Sequence, residues 1–415
     1  MTKKTKIGYA CTPASLPYRT SRTFILKNFN EKVFIECTAA NLEDLMSILN
    51  WNVKNHIYMF RISSDIIPFA SHQVNKLKWW EIFEQELLEI GAFIKQNDIR
   101  VSMHPGQYTV LNSPKEEVVE NSIADLEYHC RFLDTLGVDY TNKIVLHVGG
   151  VYGDKASAMR RFMENFKKLS PSLKKRLVLE NDDKCYTVTD VLEICSHLKI
   201  PAVFDNLHHK LNPCTLKWDH LLLKVQETWT KADGKVKLHY SDQDLVKKGG
   251  AHSKSVVTAN FLHYLESIKN IDADVMLEVK DKEISAIKCI YAIEDALPVS
   301  NRTDQWAKYK YSIMEKNYSF YKKCSSLVNS QVPMSQVYVY IDQCLSSPDN
   351  EGSFINAAQH VYGYVKDMAT KKEKESFINL INSPQKDTVK IKSLLKRLCK
   401  KYNAEYVNES YYFIL

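Results

Sequence analysis

No apolar run in this chain of 415 residues reaches the ~20 residues that a membrane span needs. There are ten cysteines, but no two stand in a Cys-x-x-Cys spacing. This excludes zinc ribbons and thioredoxin-like redox sites and argues against a secreted disulfide scaffold, so reduced and mostly buried thiols in a cytoplasmic protein are expected. Solenoid repeats and low-complexity segments are also absent. The start, Met1-Thr2-Lys3-Lys4-Thr5-Lys6, is basic but leads straight into a strand-like segment, so no secretory signal is expected. Charge imbalance is missing from most of the chain. Residues 1–300 carry 39 Lys+Arg against 38 Asp+Glu, and residues 301–415 carry 17 against 11, so nearly all of the net +7 lies in the tail. That mildly basic tail permits nucleic-acid contact without proving it. With 45% hydrophobic and 25% charged residues, the chain has the balance of a soluble globular protein long enough for more than one domain.

What the chain does have is a repeated ending. Val101-Ser102-Met103 runs into His104, Ile144-Val145-Leu146 into His147, and Leu177-Val178-Leu179 into Glu180. Ala202-Val203-Phe204 runs into Asp205, Val236-Lys237-Leu238 into His239, and Val275-Met276-Leu277 into Glu278. With Lys6–Ala10 and Ile57–Ile62 these make eight strand-like segments, each followed by helical spacing. The last six recur at roughly 25–45 residues, the spacing of an eight-unit barrel. The fold expected is α/β, a TIM (β/α)8 barrel over residues 1–300, with a small α-helical domain over residues 301–415.

Within the barrel region, Trp79–Ile99 places Trp80, Phe83, Leu87, Ile90 and Ile94 on one helical face. A second helix is expected from Ser113-Pro114-Lys115-Glu116-Glu117, with Ser113 as cap. After Pro298 the alternation fades, and helices are expected at Gln305–Asn329, Gln336–Ser346, Ser353–Ala369 and Thr388–Tyr402. Tyr309, Tyr311, Tyr318, Phe320 and Tyr321 could stack bases, but aromatic residues at helical spacing more often form core or interface.

A single strand-end histidine is usually a satisfied polar residue, and a single glutamate is often an ion-pair partner. Six at one barrel rim are different, because carboxylates and imidazoles would be desolvated next to like charges. A cluster of divalent cations resolves that cost. His208 or His209, after Asp205, and His252, after Gly249-Gly250, are further candidates. Lys237 shares an inward parity with His239. An ammonium there would be driven toward the neutral amine, which can take up carbon dioxide as an anionic carbamate, unless it pairs with a carboxylate. Gln107 and Tyr108 follow His104 on a loop of the same face and could wedge into a duplex. Tyr9 ends the first strand and is expected at the same mouth. Gly149-Gly150 would let backbone approach a phosphate.

Seven runs together resemble the UV damage endonuclease family, over roughly residues 6–280. They are Gly8-Tyr9, Ile67-Pro68-Phe69-Ala70-Ser71-His72, Ser102-Met103-His104-Pro105-Gly106-Gln107-Tyr108, Leu146-His147-Val148-Gly149-Gly150, Leu179-Glu180-Asn181-Asp182, Asp205-Asn206-Leu207-His208-His209-Lys210-Leu211-Asn212-Pro213 and Gly250-Ala251-His252. The resemblance implies a barrel related to endonuclease IV and three divalent metals, Mn2+ foremost, with Zn2+, Mg2+ or Co2+ as alternatives. It implies His104, His147 and Glu180 at one metal, and Glu180, Asp205, His239 and Glu278 at a second. A third would take His208, His252 and a carboxylated Lys237. It also implies His72 near phosphate, and Gln107, Tyr108 and Tyr9 as probes of damaged duplex. Thr12-Pro13 departs from the family, which often has an asparagine near there. The family does not account for the tail, whose residues 354–364 faintly resemble a small helical module of unknown role.

The expected activity is a metal-dependent nick 5′ to UV photoproducts or abasic sites, leaving 3′-hydroxyl and 5′-phosphate, with Glu180, Lys237 and His239 at the chemistry. Damaged double-stranded DNA is the expected partner, with no nucleotide cofactor, a monomeric state, and a cytoplasmic, nucleoid-associated location. The rivals are a single-metal sugar isomerase or epimerase and a non-catalytic DNA-binding module.

Overall fold

The computed structural model describes residues 5–294, 299–330 and 332–415. The basic start Met1–Lys4 and Pro298, where the alternation fades, lie outside the described residues. The chain forms two compact units. One comprises the residues up to Val256 with Tyr264–Ile287, and the other Val257–His263 with Lys288–Leu415. No described helix is long and apolar enough to cross a membrane.

In the first unit the eight expected strands are present: β1 Ile7–Ala10, β2 Met59–Arg61, β3 Arg100–Met103, β4 Lys143–His147, β5 Leu177–Glu180, β6 Ala202–Asp205, β7 Val236–Tyr240 and β8 Ala273–Leu277. They close into a parallel barrel in sequence order, β8 returning to β1 through Ile7 opposite Val275. Every strand is buried on both faces, which is why they read as short apolar runs. Inward side chains stack in layers. Arg100 of β3 and Asp274 of β8 form a buried ion pair at 2.9 Å in the lower layer. Val145, Val178 and Val203 pack together above, as do Ala10, Met59 and Met276. The polar layer at the C-terminal rim lies above these.

The helical layer departs from the expected pattern in two places. Trp79–Ile99 is not one helix but two, Trp79–Ile82 and Glu84–Gln96, broken at Phe83 (φ −110°). The break shifts the phase, so Trp79 is fully buried while Trp80 is half-buried under the Arg131 guanidinium. The second helix starts at Glu116 instead of Ser113. The Ser113 hydroxyl accepts from the Lys115 N–H in the turn before it, and Glu116 and Glu117 occupy the first turn.

The second unit is helical throughout. Its core gathers Phe354, Val361, Phe377, Leu395, Leu398 and Tyr412. The stretch expected as one helix over Gln305–Asn329 is two, Val299–Lys316 and Tyr318–Asn329, because the Asn317 side chain accepts from the Ser319 N–H and caps a new start. A helix at Lys371–Asn382 was not expected; it is entered through a Thr370–Glu373 capping box. Tyr309 and Tyr311 are core residues, whereas Tyr318 is exposed.

Candidate metal centre

Each rim ligand is delivered by strand geometry. Glu180 closes β5, Asp205 closes β6, His147 closes β4 and His239 lies one residue from the end of β7, while His104 and Glu278 sit one residue past β3 and β8. Because all eight strands run in parallel, these ends meet on one rim. Glu180, 1% exposed, is the hub. Its Oε1 lies 2.8 Å from His239 Nδ1 and 3.6 Å from His208 Nδ1. Its Oε2 lies 3.1 Å from His104 Nε2 and 3.6 Å from His147 Nε2.

Three sets of ligand atoms each fall within 4.8 Å of one another: His104, His147 and Glu180; Glu180, His239 and Glu278; and Glu180, Asp205 and His208. The first is the set expected from the sequence. The four residues expected at a second position divide between the other two sets, with His208 beside Asp205. His252 lies against Glu278, its Nε2 3.9 Å from Oε2, and its Nδ1 meets the Glu278 carbonyl. His209 points elsewhere and packs on Phe204 and Trp218.

The electrostatics fit cations. Burial alone would raise the Glu180 carboxyl, but His239 and His147, with contacts from His104 and His239, hold it well below the usual carboxylate range. Glu278 is also depressed: burial is overcome by the Arg61 guanidinium and His239. Asp205 goes the other way, to about 7, because burial dominates and Glu180 and Glu278 add to it against His208. Burial lowers His208 less than Asp205, Glu180 and Glu278 raise it, and it reaches about 9. Burial lowers His147 and His239. Asp205 Oδ2 and His147 Nδ1 are buried without a hydrogen-bond partner. Orphaned, desolvated nitrogen and oxygen donors around shared carboxylates are the donor chemistry of a divalent-cation cluster.

Lys237 is 0% exposed and inward-facing, but it belongs to the layer beneath the rim. Burial, then Arg100 and Arg61, lower its amine well below the usual range, against Asp274. Its Nζ has no hydrogen-bond partner. It therefore makes no hydrogen bond to His208 or His252, the residues expected to share a third position with it.

Tyr9 is a correction. It was expected at the mouth as a duplex probe, but it is 0% exposed. Gly8 and Ala10 are the inward residues of β1: a Cβ on Gly8 would meet the Met59 carbonyl oxygen at 2.2 Å, and Ala10 packs with Met59 and Met276. Strand alternation therefore turns Tyr9 outward under the helix Glu31–Lys54, where its hydroxyl donates to Asn52 Oδ1 at 3.0 Å and its ring meets Phe60 edge-on.

Gln107 and Tyr108 do stand out, with Tyr108 82% exposed. Their turn is pinned by the Thr109 N–H donating to the Gly106 carbonyl and the Thr109 hydroxyl donating to Asp125. They line a cavity of 620 Å³ that reaches His147 and the Gly149-Gly150 backbone. Gly149 has its own steric reason: φ is 110°, and a Cβ would lie 2.4 Å from Asn112 Oδ1. His72 occupies an exposed turn, accepting from the Val74 N–H and packing on Phe69. No described contact links it to the cluster.

One residue was missed. Arg61, at the end of β2, is buried; its Nη2 meets Glu278 Oε1 and lies 3.1 Å from His239 Nε2. The available signal was parity, since Met59 and Arg61 face inward together, but a cation was not sought among ligands.

A closed parallel barrel with imidazoles and carboxylates gathered at its C-terminal rim defines a class of barrel enzymes whose rim residues could hold metal ions. Within that class the chain belongs to the UV-endonuclease UvdE family, which matches residues 5–310, and a second family, a protein of unknown function (DUF1722), matches residues 310–415. A UV DNA damage endonuclease of Clostridium perfringens (strain 13 / Type A) is 47% identical over 98% of this chain and 99% of its own length. One from Bacillus cereus (strain Q1) is 36% identical over 71% of this chain and 95% of its own length. Among solved structures, the crystal structure of SacUVDE shares 41% identity and covers 69% of this chain and 97% of its own, with a TM-score of 0.66.

Proposed function

We propose that this endonuclease nicks damaged duplex DNA on the 5′ side of UV photoproducts, both cyclobutane dimers and 6-4 photoproducts, and at abasic sites, leaving 3′-hydroxyl and 5′-phosphate ends. The observation that carries the reading is Glu180, a buried carboxylate within reach of four histidines, one of which, His147, lines a cavity together with the exposed Gln107 amide and Tyr108 phenol. His104, His147, Asp205, His208, His239, His252 and Glu278 would share cations with it, manganese being the preferred identity and three the preferred number. Bound there, divalent cations would supply Lewis acidity and would lower the pKa of a water toward about 7.

The chain's own groups do the rest. Tyr108 and Gln107, on a pinned turn, fill the gap left when distorted nucleotides leave the stack. A lesion has already lost stacking, so extrusion there saves part of the few kcal/mol that intact duplex requires. Arg61 keeps Glu278 ionised and in place. The orphaned Lys237 amine is the group that a carbon dioxide adduct would turn into an anionic ligand, and a mass gain of one carboxyl on the native protein tests that separately. The enzyme is proposed to act as a monomer, without a nucleotide cofactor, in the cytoplasm at the nucleoid.

The test uses duplexes carrying one defined photoproduct, one abasic site or neither, with manganese or with chelator, and maps the nick and its end groups. Nicking by the wild type at the 5′ side of the photoproduct, lost with chelator and in Glu180→Ala, is the expected result. Wild-type nicking by Glu180→Ala in metal-free buffer would overturn it.

A further inference from the structure

The charge of the chain is concentrated in one place that the nuclease chemistry does not use. Residues 386–401 hold seven Lys+Arg (386, 390, 392, 396, 397, 400, 401) against one acidic residue, Asp387, a net +6 out of the chain's +7. The rest of the tail from residue 301 balances, ten against ten. Most of the segment is the helix Thr388–Lys401, whose inner face buries Ile391, Leu394, Leu395, Leu398 and Cys399 in the core of its unit. Its outer face exposes Lys390, Lys396, Arg397, Lys400 and Lys401.

A row of solvated lysines is the ordinary reading of such a face. Two observations go against it. Some lysines of this unit meet carboxylates, as Lys392 meets Glu315 at 2.8 Å, Lys401 meets Glu373 at 2.7 Å, Lys390 meets Asp387 at 3.1 Å and Lys316 meets Asp349 at 2.5 Å. Lys396, Arg397 and Lys400 pair with no carboxylate among the described residues, although they are adjacent on one helical face, where like charges repel. The fold itself has no use for this arrangement. A polyanion does: from Lys390 to Lys401 the helix runs roughly 16 Å, the axial rise of about five phosphates on one strand of duplex DNA.

We infer that the outer face of the helix Thr388–Lys401 is a docking surface for the phosphate backbone of duplex DNA, binding without regard to sequence or damage. It would raise the local concentration of DNA for the barrel and leave lesion choice to the rim. The inference rests on the endonuclease reading only for its choice of polyanion, and its test needs no nicking.

The test measures binding of the full-length protein to undamaged duplex by fluorescence anisotropy between 50 and 200 mM salt. It compares the wild type with the triple variant Lys396→Gln, Arg397→Gln, Lys400→Gln and with the charge-preserving variant Lys396→Arg, Arg397→Lys, Lys400→Arg. Three lost phosphate contacts lower the slope of log affinity against log salt by about 2.7, so the wild type loses ~40-fold more affinity than the Gln variant across that range. The charge-preserving variant keeps the wild-type slope. At saturating lesion-bearing duplex the Gln variant nicks at the wild-type rate, with a raised KM. An unchanged slope in the Gln variant, with circular dichroism matching the wild type, would overturn the inference. So would intact DNA binding accompanied by loss of binding to vesicles containing phosphatidylserine, which would assign the face to a membrane surface.

Discussion

Removing and restoring divalent cations should change the stability of the protein by an amount the cluster geometry sets. Without a cation, Glu180, Asp205 and Glu278 share one buried rim, and burial beside the other two carboxylates pushes Asp205 up to about 7. A cation that binds the folded rim and not the unfolded chain stabilises by ~2.7 kcal/mol at a concentration one hundred times its Kd. For a unit of barrel size each kcal/mol moves Tm by about 2–4 °C, so one occupied position raises Tm by roughly 5–10 °C. Calorimetry of chelator-treated protein, titrated with Mn2+ and then with Zn2+, Mg2+ and Co2+, reads this directly. Glu180→Gln keeps the side-chain volume but weakens all three ligand sets at once, so its shift should fall below 2 °C, about the effect of one kcal/mol. His72→Ala, on an exposed turn away from the cluster, should keep the full shift. If none of the four cations moves Tm, or if Glu180→Gln retains the wild-type shift, the rim is a hydrogen-bonded polar layer and the cation argument fails.

Arg61→Met leaves Glu278 buried without its guanidinium, which should cost about 3–5 kcal/mol in metal-free buffer; urea denaturation should also show a larger recovery on adding Mn2+ than in the wild type. Tyr9→Phe removes the bond to Asn52 and should cost about 1 kcal/mol with kcat on a photoproduct duplex within twofold of wild type, whereas a tenfold loss of kcat would return Tyr9 to the lesion. Tyr108→Ala should leave stability within ~0.5 kcal/mol but erode the preference for damaged over undamaged duplex in a competition nicking assay. Burial pushes the Cys130 thiol up to about 12 from an ordinary 9.0. The folded chain therefore keeps a proton that the unfolded chain loses, and the stabilisation present below pH 9 drains away as pH rises toward 12. Urea denaturation across that window should show a flatter decline for Cys130→Ala.

What could be read from the sequence follows from the barrel's symmetry, and what was misread follows from its parity. Parallel strands that all end at one rim turn a one-dimensional pattern, an apolar run closed by His, Glu or Asp, into a three-dimensional convergence. That is why His104, His147, Glu180, Asp205, His239 and Glu278 were visible before any coordinates. Alternation along a strand then decides which residues reach the rim, and it was applied unevenly. Applied to β1 it turns Gly8 and Ala10 inward and Tyr9 out to the helix layer. Applied to β2 it brings Arg61 inward above Met59, onto Glu278. Applied to β7 it places Lys237 inward, but two residues also mean about 6.6 Å along the strand, one layer below His239 and level with the cations of the lower barrel. The helical tail has no such convergence. The helix Lys371–Asn382 buries only Phe377 and Ile381, too sparse a stripe to read, and the break at Asn317 depends on one side-chain cap. A closed barrel makes strand ends informative at a distance; a helix packed on one thin stripe is informative only about its neighbours. The site was therefore more legible than the tail, although the tail carries nearly all the net charge.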